Sequence, residues 1–342
     1  MRDIFSLSVE DLAEFMMKIG QQRYRADQVY EWLYKRSATS FDDMTNLPKT
    51  LRGELSQQFN MVPMKRLTRE ISSDGTEKFL FELTDGNLIE SVLIEHSDRK
   101  TFCISTQVGC PVKCAFCATG RSGYVRNLTV GEIVYQAVEI ERCLRGLGGI
   151  NIVFMGMGEP LLNLENVLKS IRILNNPQGR AIGIRRFMIS TVGIPEGIRT
   201  IAEVVPGVKL SVSIHAPNDS VRNKLVPLNK KYRLNMLIKS LREYVEHTGN
   251  RISFEYVLIE GVNDSPEDAR MLAEVVSGLP SYVNLIPLNP TDSEYRRPAS
   301  EKIRSFHKQL EERGIEAFVR IEKGGDIKAA CGQLRLRHVK GG

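Results

Sequence analysis

From about residue 100 onward the chain repeats one pattern. Seven apolar, strand-like runs, TFCIST, INIVFMG, RRFMIS, KLSVSIH, ISFEYVL, YVNLIPL and IEAFVRI, are separated by segments of helical character. Strands that alternate with helices pair in parallel, because a parallel neighbour is reached only through a crossover. Six such units build an α/β fold, a partial or complete (β/α)6 barrel, whose working face is the C-terminal end of the strands. An open doubly wound sheet places its site at the same end, so the pattern defines a face more firmly than a topology. Helix starts support the reading. Thr129 and Glu132 form a capping-box pair before TVGEIVYQAVEIERCL, and Ser265 precedes Pro266 at a first helical position.

The first sixty residues have a different character. SVEDLAEFMMKIG carries Ser8 as a candidate N-cap and Gly20 as a stop. YRADQVYEWLYKR places Val29, Trp32 and Leu33 on one face, and TSFDDMTNLPKTLRGEL adds one or two short helices. From Met64 the period changes to two, and EKFLFELTDGNLIESVLIE alternates around Asp85-Gly86, a hairpin signal. The expected organisation is a helical accessory module over 1–62, a β extension serving as a linker over 63–98 and a core over 99–342.

With 342 residues the chain is long enough for a barrel and an accessory module. The opening MRDIFSLSVEDL has no apolar stretch suited to a signal peptide, and no run reaches the roughly 18 apolar residues of a membrane span. The expectation is a cytoplasmic chain without membrane contact, in which clustered cysteines mean metal or catalysis more often than structural disulfides. A net charge of +6 permits a nucleic-acid partner without demanding one. The basic stretches QQRYRADQVYEWLYKR and RLRHVKGG are candidates for RNA backbone contact and equally fit solvated faces.

The chemistry concentrates in VGCPVKCAFCATG, where Cys110, Cys114 and Cys117 follow the first strand run with spacing C-x3-C-x2-C. Three thiolates suit zinc or an iron–sulfur cluster. A zinc site needs a fourth ligand, and Cys103 lies seven residues upstream. A cluster held by three cysteines leaves one iron open. The other strand ends carry GMGEP with Gly158 and Glu159, then Ser190, Ser213-Ile214-His215 and Asn289. A lone cysteine or histidine is more often a packed core residue than a reactive one, and Cys143, late in a helix, reads as structural.

The cysteine spacing with Phe116 before the last cysteine, together with GMGEP, resembles the radical S-adenosylmethionine (SAM) superfamily. The strings SFDDMTNLPKTLR, FCISTQVGCPVKCAFCATG, FMGMGEPLLN, ISTVGI, SIHAPND and GGDIKAACGQL closely resemble the RNA adenine C2 methyltransferases within it. A sister group that methylates C8 of the same ribosomal adenosine shares most of these motifs, and a zinc-bearing RNA-binding protein is the alternative of another class.

The resemblance implies a [4Fe–4S] cluster on Cys110, Cys114 and Cys117, with the open iron holding the amino and carboxylate groups of SAM. It implies that Gly158, Glu159, Ser190, Ser213, Ile214, His215 and Asn289 line the SAM pocket. Adenine C2 is a weak nucleophile and a thiolate is a strong one. The family scheme therefore implies that Cys331 takes a methyl from one SAM and that a second SAM supplies the radical that activates it. The methylene then joins C2, Glu90 accepts a proton, and Cys103 releases the adduct through a transient disulfide with Cys331. The implied partners are 23S rRNA, at an adenosine of the peptidyl transferase centre, and tRNAs, at the adenosine 3′ to the anticodon. A reductant such as flavodoxin or ferredoxin and a monomeric enzyme are also implied.

Overall fold

The computed structural model describes residues 2–96, 98–144 and 149–334. The basic stretch RLRHVKGG, 335–342, lies outside the described residues. The N-terminal module begins with β1 (Arg2–Asp3). It continues through α1 (Val9–Lys18), α2 (Tyr24–Tyr34) and α3 (Lys49–Gln58) to β2 (Phe59–Asn60), which pairs in parallel with β1. Ser8 caps α1 as expected, in a reciprocal box with Asp11. Val29 and Leu33 of α2 are buried, while Trp32 stays partly exposed and donates to Asn46 Oδ1 at 2.6 Å.

Three antiparallel strands follow: β3 (Met64–Ile71), β4 (Glu77–Leu83) and β5 (Leu88–Glu95). Gly86, at φ +79°, closes the β4–β5 turn at the predicted Asp85-Gly86 pair. These strands are more than a linker. β5 pairs antiparallel with β6 (Arg99–Cys103), so the extension is continuous with the core sheet.

After β6 comes a small ribbon of β7 (Gln107–Gly109) and β8 (Tyr124–Asn127) that encloses the single-turn α4 (Ala118–Arg121). The repeating units are then α5 (Val130–Arg142), β9 (Gly149–Phe154), α6 (Leu164–Asn175), β10 (Phe187–Thr191), α7 (Pro195–Val204) and β11 (Lys209–Ser213). They continue with α8 (Asp219–Leu225), α9 (Leu234–Thr248), β12 (Ile252–Leu258), α10 (Pro266–Val276), β13 (Ser281–Pro287), α11 (Ser300–Glu311) and β14 (Ala317–Val319). The expected capping box of Thr129 with Glu132 is present, and Ser265, at the expected helix start, forms another with Asp268.

All seven predicted runs contribute to one sheet, and β6 and β9 to β14 pair in parallel in chain order. The ten-stranded sheet is open, with β3 and β14 at its edges, so the barrel is partial. The N-terminal module shares one apolar core with it. Phe5 meets Tyr135 of α5 edge-on at 5.1 Å, Tyr30 donates to the Ile173 carbonyl at 2.9 Å, and Lys169 pairs with Asp11 at 2.8 Å. No helix among the described residues is long and apolar enough to cross a membrane.

Candidate active site

The cysteine loop leaves β7 through Gly109, at φ +76°, where an added Cβ would fall 2.1 Å from the Gly123 carbonyl oxygen. Only glycine fits there. Lys113 also has positive φ, +60°, and Gly120 leaves room for the Cys114 backbone. The Cys110 amide donates to the Gly123 carbonyl at 2.8 Å and the Ala115 amide to the Leu225 carbonyl at 2.9 Å. The loop is thus held from two sides with its three cysteines close enough to influence each other's charge. Burial pushes Cys110 up to about 12 and holds Cys114 well above the ordinary thiol value, and Cys117 adds to both shifts.

Among the described residues, no three His, Cys, Asp or Glu side chains gather as they would around a single ion. A zinc site demands that convergence, whereas thiolates that each hold a different iron of a cluster do not. A cysteine triplet on a glycine-hinged loop is a donor set that fits a [4Fe–4S] cluster.

The strand ends beside this loop carry the other predicted residues. At Gly158, φ +110°, a Cβ would lie 2.7 Å from Gln107 Cβ and from Thr106 Oγ1. The Glu159 carboxylate is engaged within the protein, accepting from the Leu161 amide at 3.1 Å and the Val192 amide at 2.9 Å. Burial raises its pKa and these hydrogen bonds oppose the rise. Ser190 and Ser213 are part-exposed on their strands, and Ile214 is buried. The His215 backbone is held at φ +54°, its carbonyl accepts from Asn263 at 2.8 Å and its Nδ1 accepts from the Val257 amide at 3.1 Å. Burial, with Arg222 nearby, lowers its pKa to about 3. The ring is therefore neutral, and Nε2 carries the proton because Nδ1 is an acceptor. It meets Phe116 edge-on at 4.8 Å.

Three residues that the motifs do not advertise organise this end. Arg222 of α8 is 1% exposed. It donates to Ile214 O at 2.9 Å, Ser213 O at 3.2 Å, Val192 O and Asn229 Oδ1. It ties the ends of β10 and β11 together. Glu255 of β12 pairs in register with Ser213 and Asn284, and its Oε1 accepts from Ser211, Ser253 and Asn284 at 2.7–2.9 Å. A carboxylate inside the largely apolar run ISFEYVL hints at a buried polar site, but its partners follow only from the strand register. Lys78 of β4 is the third.

The C-terminal segment closes the arrangement. The Gly332 carbonyl accepts from the Ala118 amide at 2.9 Å, and Thr119 donates to the Leu334 carbonyl. Asn289 donates to the Cys331 carbonyl at 2.9 Å, and Gln333 donates to the Pro290 carbonyl at 2.9 Å. Cys331 is solvent-accessible yet closely surrounded by protein. Burial raises its pKa, Arg320 opposes the rise and Glu255 adds to it. Burial also raises Cys103, and the Cys331 thiol adds to that shift, so the two thiols lie within electrostatic reach of each other. All six cysteines are free in this structure. Glu90, 1% exposed, lies on β5, and its carbonyl accepts from Ser105 Oγ at 2.6 Å. Cys143 caps α5 beside Glu139 and Arg66, in a packing role.

A parallel β/α sheet with three cysteines after its first strand and a glycine turn after its second defines a radical SAM protein. Residues 104–273 match the Radical SAM superfamily, which implies a [4Fe–4S] cluster and SAM. Residues 2–61 match the Ribosomal RNA large subunit methyltransferase N-terminal domain. Probable dual-specificity RNA methyltransferases RlmN from Thermotoga sp. (strain RQ2) and Thermosipho melanesiensis are 52% and 53% identical. The alignments cover 99% of this chain in both cases and 99% and 100% of those proteins. The crystal structure of a radical SAM methyltransferase from Sphaerobacter thermophilus superposes with a TM-score of 0.94. It is 46% identical and covers 98% of this chain and 99% of that one. The chain belongs to the RlmN family of dual-specificity RNA methyltransferases.

Proposed function

We propose that this chain methylates C2 of an adenosine in 23S rRNA, at the peptidyl transferase centre, and of the adenosine 3′ to the anticodon in tRNAs. The observation that carries the reading is the position of Cys331. Its segment is bonded to α4, directly after the cysteine loop, and its thiol lies within electrostatic reach of Cys103. A thiol that must receive a methyl, carry it to a base and then be resolved by a second thiol needs both neighbours.

When bound at Cys110, Cys114 and Cys117 and reduced by a one-electron donor of the flavodoxin or ferredoxin class, the cluster would supply one electron for reductive cleavage of SAM to a 5′-deoxyadenosyl radical. The rest is the work of the chain's own residues. Gly158 and Glu159 with Ser190, Ser213 to His215 and Asn289 bind and orient SAM at the strand ends. Cys331 loses its proton and displaces the methyl from one SAM, so its S–CH3 bond forms as the sulfonium bond breaks. Arg320 favours the thiolate that this step requires. The methyl group on Cys331 then gives up a hydrogen atom to the radical that a second SAM would supply, and the carbon left on Cys331 would add to C2.

After the adduct passes one electron to a one-electron carrier of the flavodoxin or ferredoxin class, Glu90 accepts the C2 proton. Cys103 attacks the Cys331 sulfur. The S–S bond forms, the S–CH2 bond breaks, and its electron pair takes up a proton to leave a methyl group on the base. External thiol reduction resets the pair.

The N-terminal module and the basic surface bind the RNA backbone, and the target base must be exposed for its C2 edge to reach Cys331. The enzyme works as a cytoplasmic monomer. The direct test is peptide mass spectrometry of Cys331 in cluster-loaded protein supplied with SAM. A Cys331 peptide heavier by one methylene, absent when Cys110, Cys114 and Cys117 are replaced by Ala, is the expected result. An unmodified Cys331 would sink the relay. Nucleoside mass spectrometry of the RNA then identifies C2 as the methylated carbon.

A further inference from the structure

Lys78 is the only buried lysine among the described residues, at 1% exposure. Burying an ammonium is costly unless several partners satisfy it, so its surroundings carry information. The strand register sets its place. Lys78 of β4 lies opposite Val92 of β5, and Val92 lies opposite Cys103 of β6. These three side chains form one cross-strand row, and Glu90, two residues along β5 from Val92, shares their face of the sheet.

The Lys78 ammonium stands 3.8 Å from Glu90 Oε1 and 3.3 Å from Glu70 Oε2. It also donates to the main-chain carbonyl of Ile327, four residues before Cys331. Three donors on one nitrogen can serve three such partners. The turn between β3 and β4 reinforces the contact. Ser72 donates to Asp326 Oδ1 at 2.6 Å, the Ser73 amide donates to Asp326 Oδ2 at 3.1 Å, and the Gly324 amide donates to Asp74 Oδ2 at 3.0 Å. The β3–β4 hairpin therefore grips GGDIKAACGQL from outside the parallel core, and Lys78 is the point where that grip meets Glu90.

We propose that Lys78 is a positioning residue for the second half of the reaction. It fixes the Glu90 carboxylate and the Cys331 segment to one atom, so that the proton acceptor and the carbon carried by Cys331 keep a common geometry. The proposal rests on the reading that Glu90 accepts the C2 proton. Methyl transfer to Cys331 precedes any role for Glu90. Removal of the C2 proton from the RNA–protein adduct depends on both.

The experiment compares wild type, K78M, K78R and E90Q, each cluster-loaded and given SAM, reductant and an RNA hairpin containing the target adenosine. Three products are measured: S-methylated Cys331 by peptide mass spectrometry, denaturant-stable RNA–protein adduct on gels, and 2-methyladenosine by nucleoside mass spectrometry. K78M and E90Q are expected still to yield S-methylated Cys331, because that step comes before the one assigned to Glu90. Both should accumulate adduct and lose product by about a hundredfold, the lower end of what a placed proton-transfer group contributes. K78R, which keeps the cation, should recover most of the product, a rescue that a generally weakened fold would not show.

Normal product from K78M, loss of product without adduct, or a K78R as impaired as K78M would overturn the assignment. If E90Q accumulates adduct and K78M does not, Lys78 is dismissed and Glu90 stands. If E90Q accumulates none, the Glu90 reading itself falls. Should K78M not fold, E90Q is compared with the charge-neutral double variant K78M/E90Q for the rate of Cys331 alkylation by a maleimide. Several-fold faster labelling of the double variant is expected once Ile327 loses its donor, and an equal rate would refute the seating role.

Discussion

Gly158 shows how little freedom single residues have at this site. Its φ of +110° is open only to glycine, and a methyl group there would strike Gln107 and Thr106. Gly158→Ala is expected to lower SAM affinity by about tenfold or more, since a one-ångström displacement in a preorganised site costs about that much or greater. Calorimetric titration of SAM against the variant checks it, and an unchanged affinity would show that the turn does not contact the cofactor. In the proposed relay the two thiols serve different halves of the reaction. Cys331→Ala should abolish methylation while SAM cleavage continues. Cys103→Ala should stop at the RNA–protein adduct, seen as a shifted band on a denaturing gel.

At the scale of elements, α8 is a brace. Its C-terminal Leu225 carbonyl receives the Ala115 amide of the cysteine loop, and its Arg222 binds carbonyls at the ends of β10 and β11. Replacing Arg222 by Met strands at least two buried carbonyls, each worth about 1–3 kcal/mol. A loss of about 3 kcal/mol or more in urea-unfolding stability is expected, with Arg222→Lys recovering only part, because one ammonium cannot reproduce the guanidinium fork. A midpoint within error of wild type would contradict this role.

Strands, capping boxes and the cysteine loop were legible because each depends on local periodicity or spacing. Lys78, Arg222 and Glu255 were not singled out, because each takes its meaning from register: which strand lies beside it and which carbonyl ends there. A trace of Lys78 was present in KFLF, where apolar residues occupy both phases of β4 and so bury both faces. The β extension was read as a linker for a related reason. Nothing in its own alternation says that β5 will continue the core sheet through β6.

At the scale of the whole molecule, the seam between module and barrel is sensitive to pH. Burial raises the pKa of Asp3 to about 7, with the Phe5 amide opposing and Glu132 adding to the shift, and its Oδ2 is enclosed without a hydrogen bond among the described residues. The folded state holds this proton more tightly than the unfolded chain. Stability attached to Asp3 is therefore fully present below about pH 4 and is lost as pH rises to about 7. Asp3→Asn should remove that slope and make the protein more stable than wild type at pH 8, by a few kcal/mol at most. Thermal melts between pH 5 and pH 8 test it, and parallel curves for the two proteins would count against it.

The strand order carries a consequence for how the molecule assembles. Because each strand of the sheet lies beside its predecessor in sequence, the sheet can grow by short loop closures, whereas the Asp326 bonds to Ser72 and Ser73 join residues more than 250 positions apart. Long-range contacts of this kind form late and open first. The segment that carries the relay thiol is then the last to lock and the first to loosen. Amide exchange over 324–334 should proceed at a lower opening free energy than in β9 to β13, and a folding intermediate would have a finished cysteine loop and no methyl acceptor beside it.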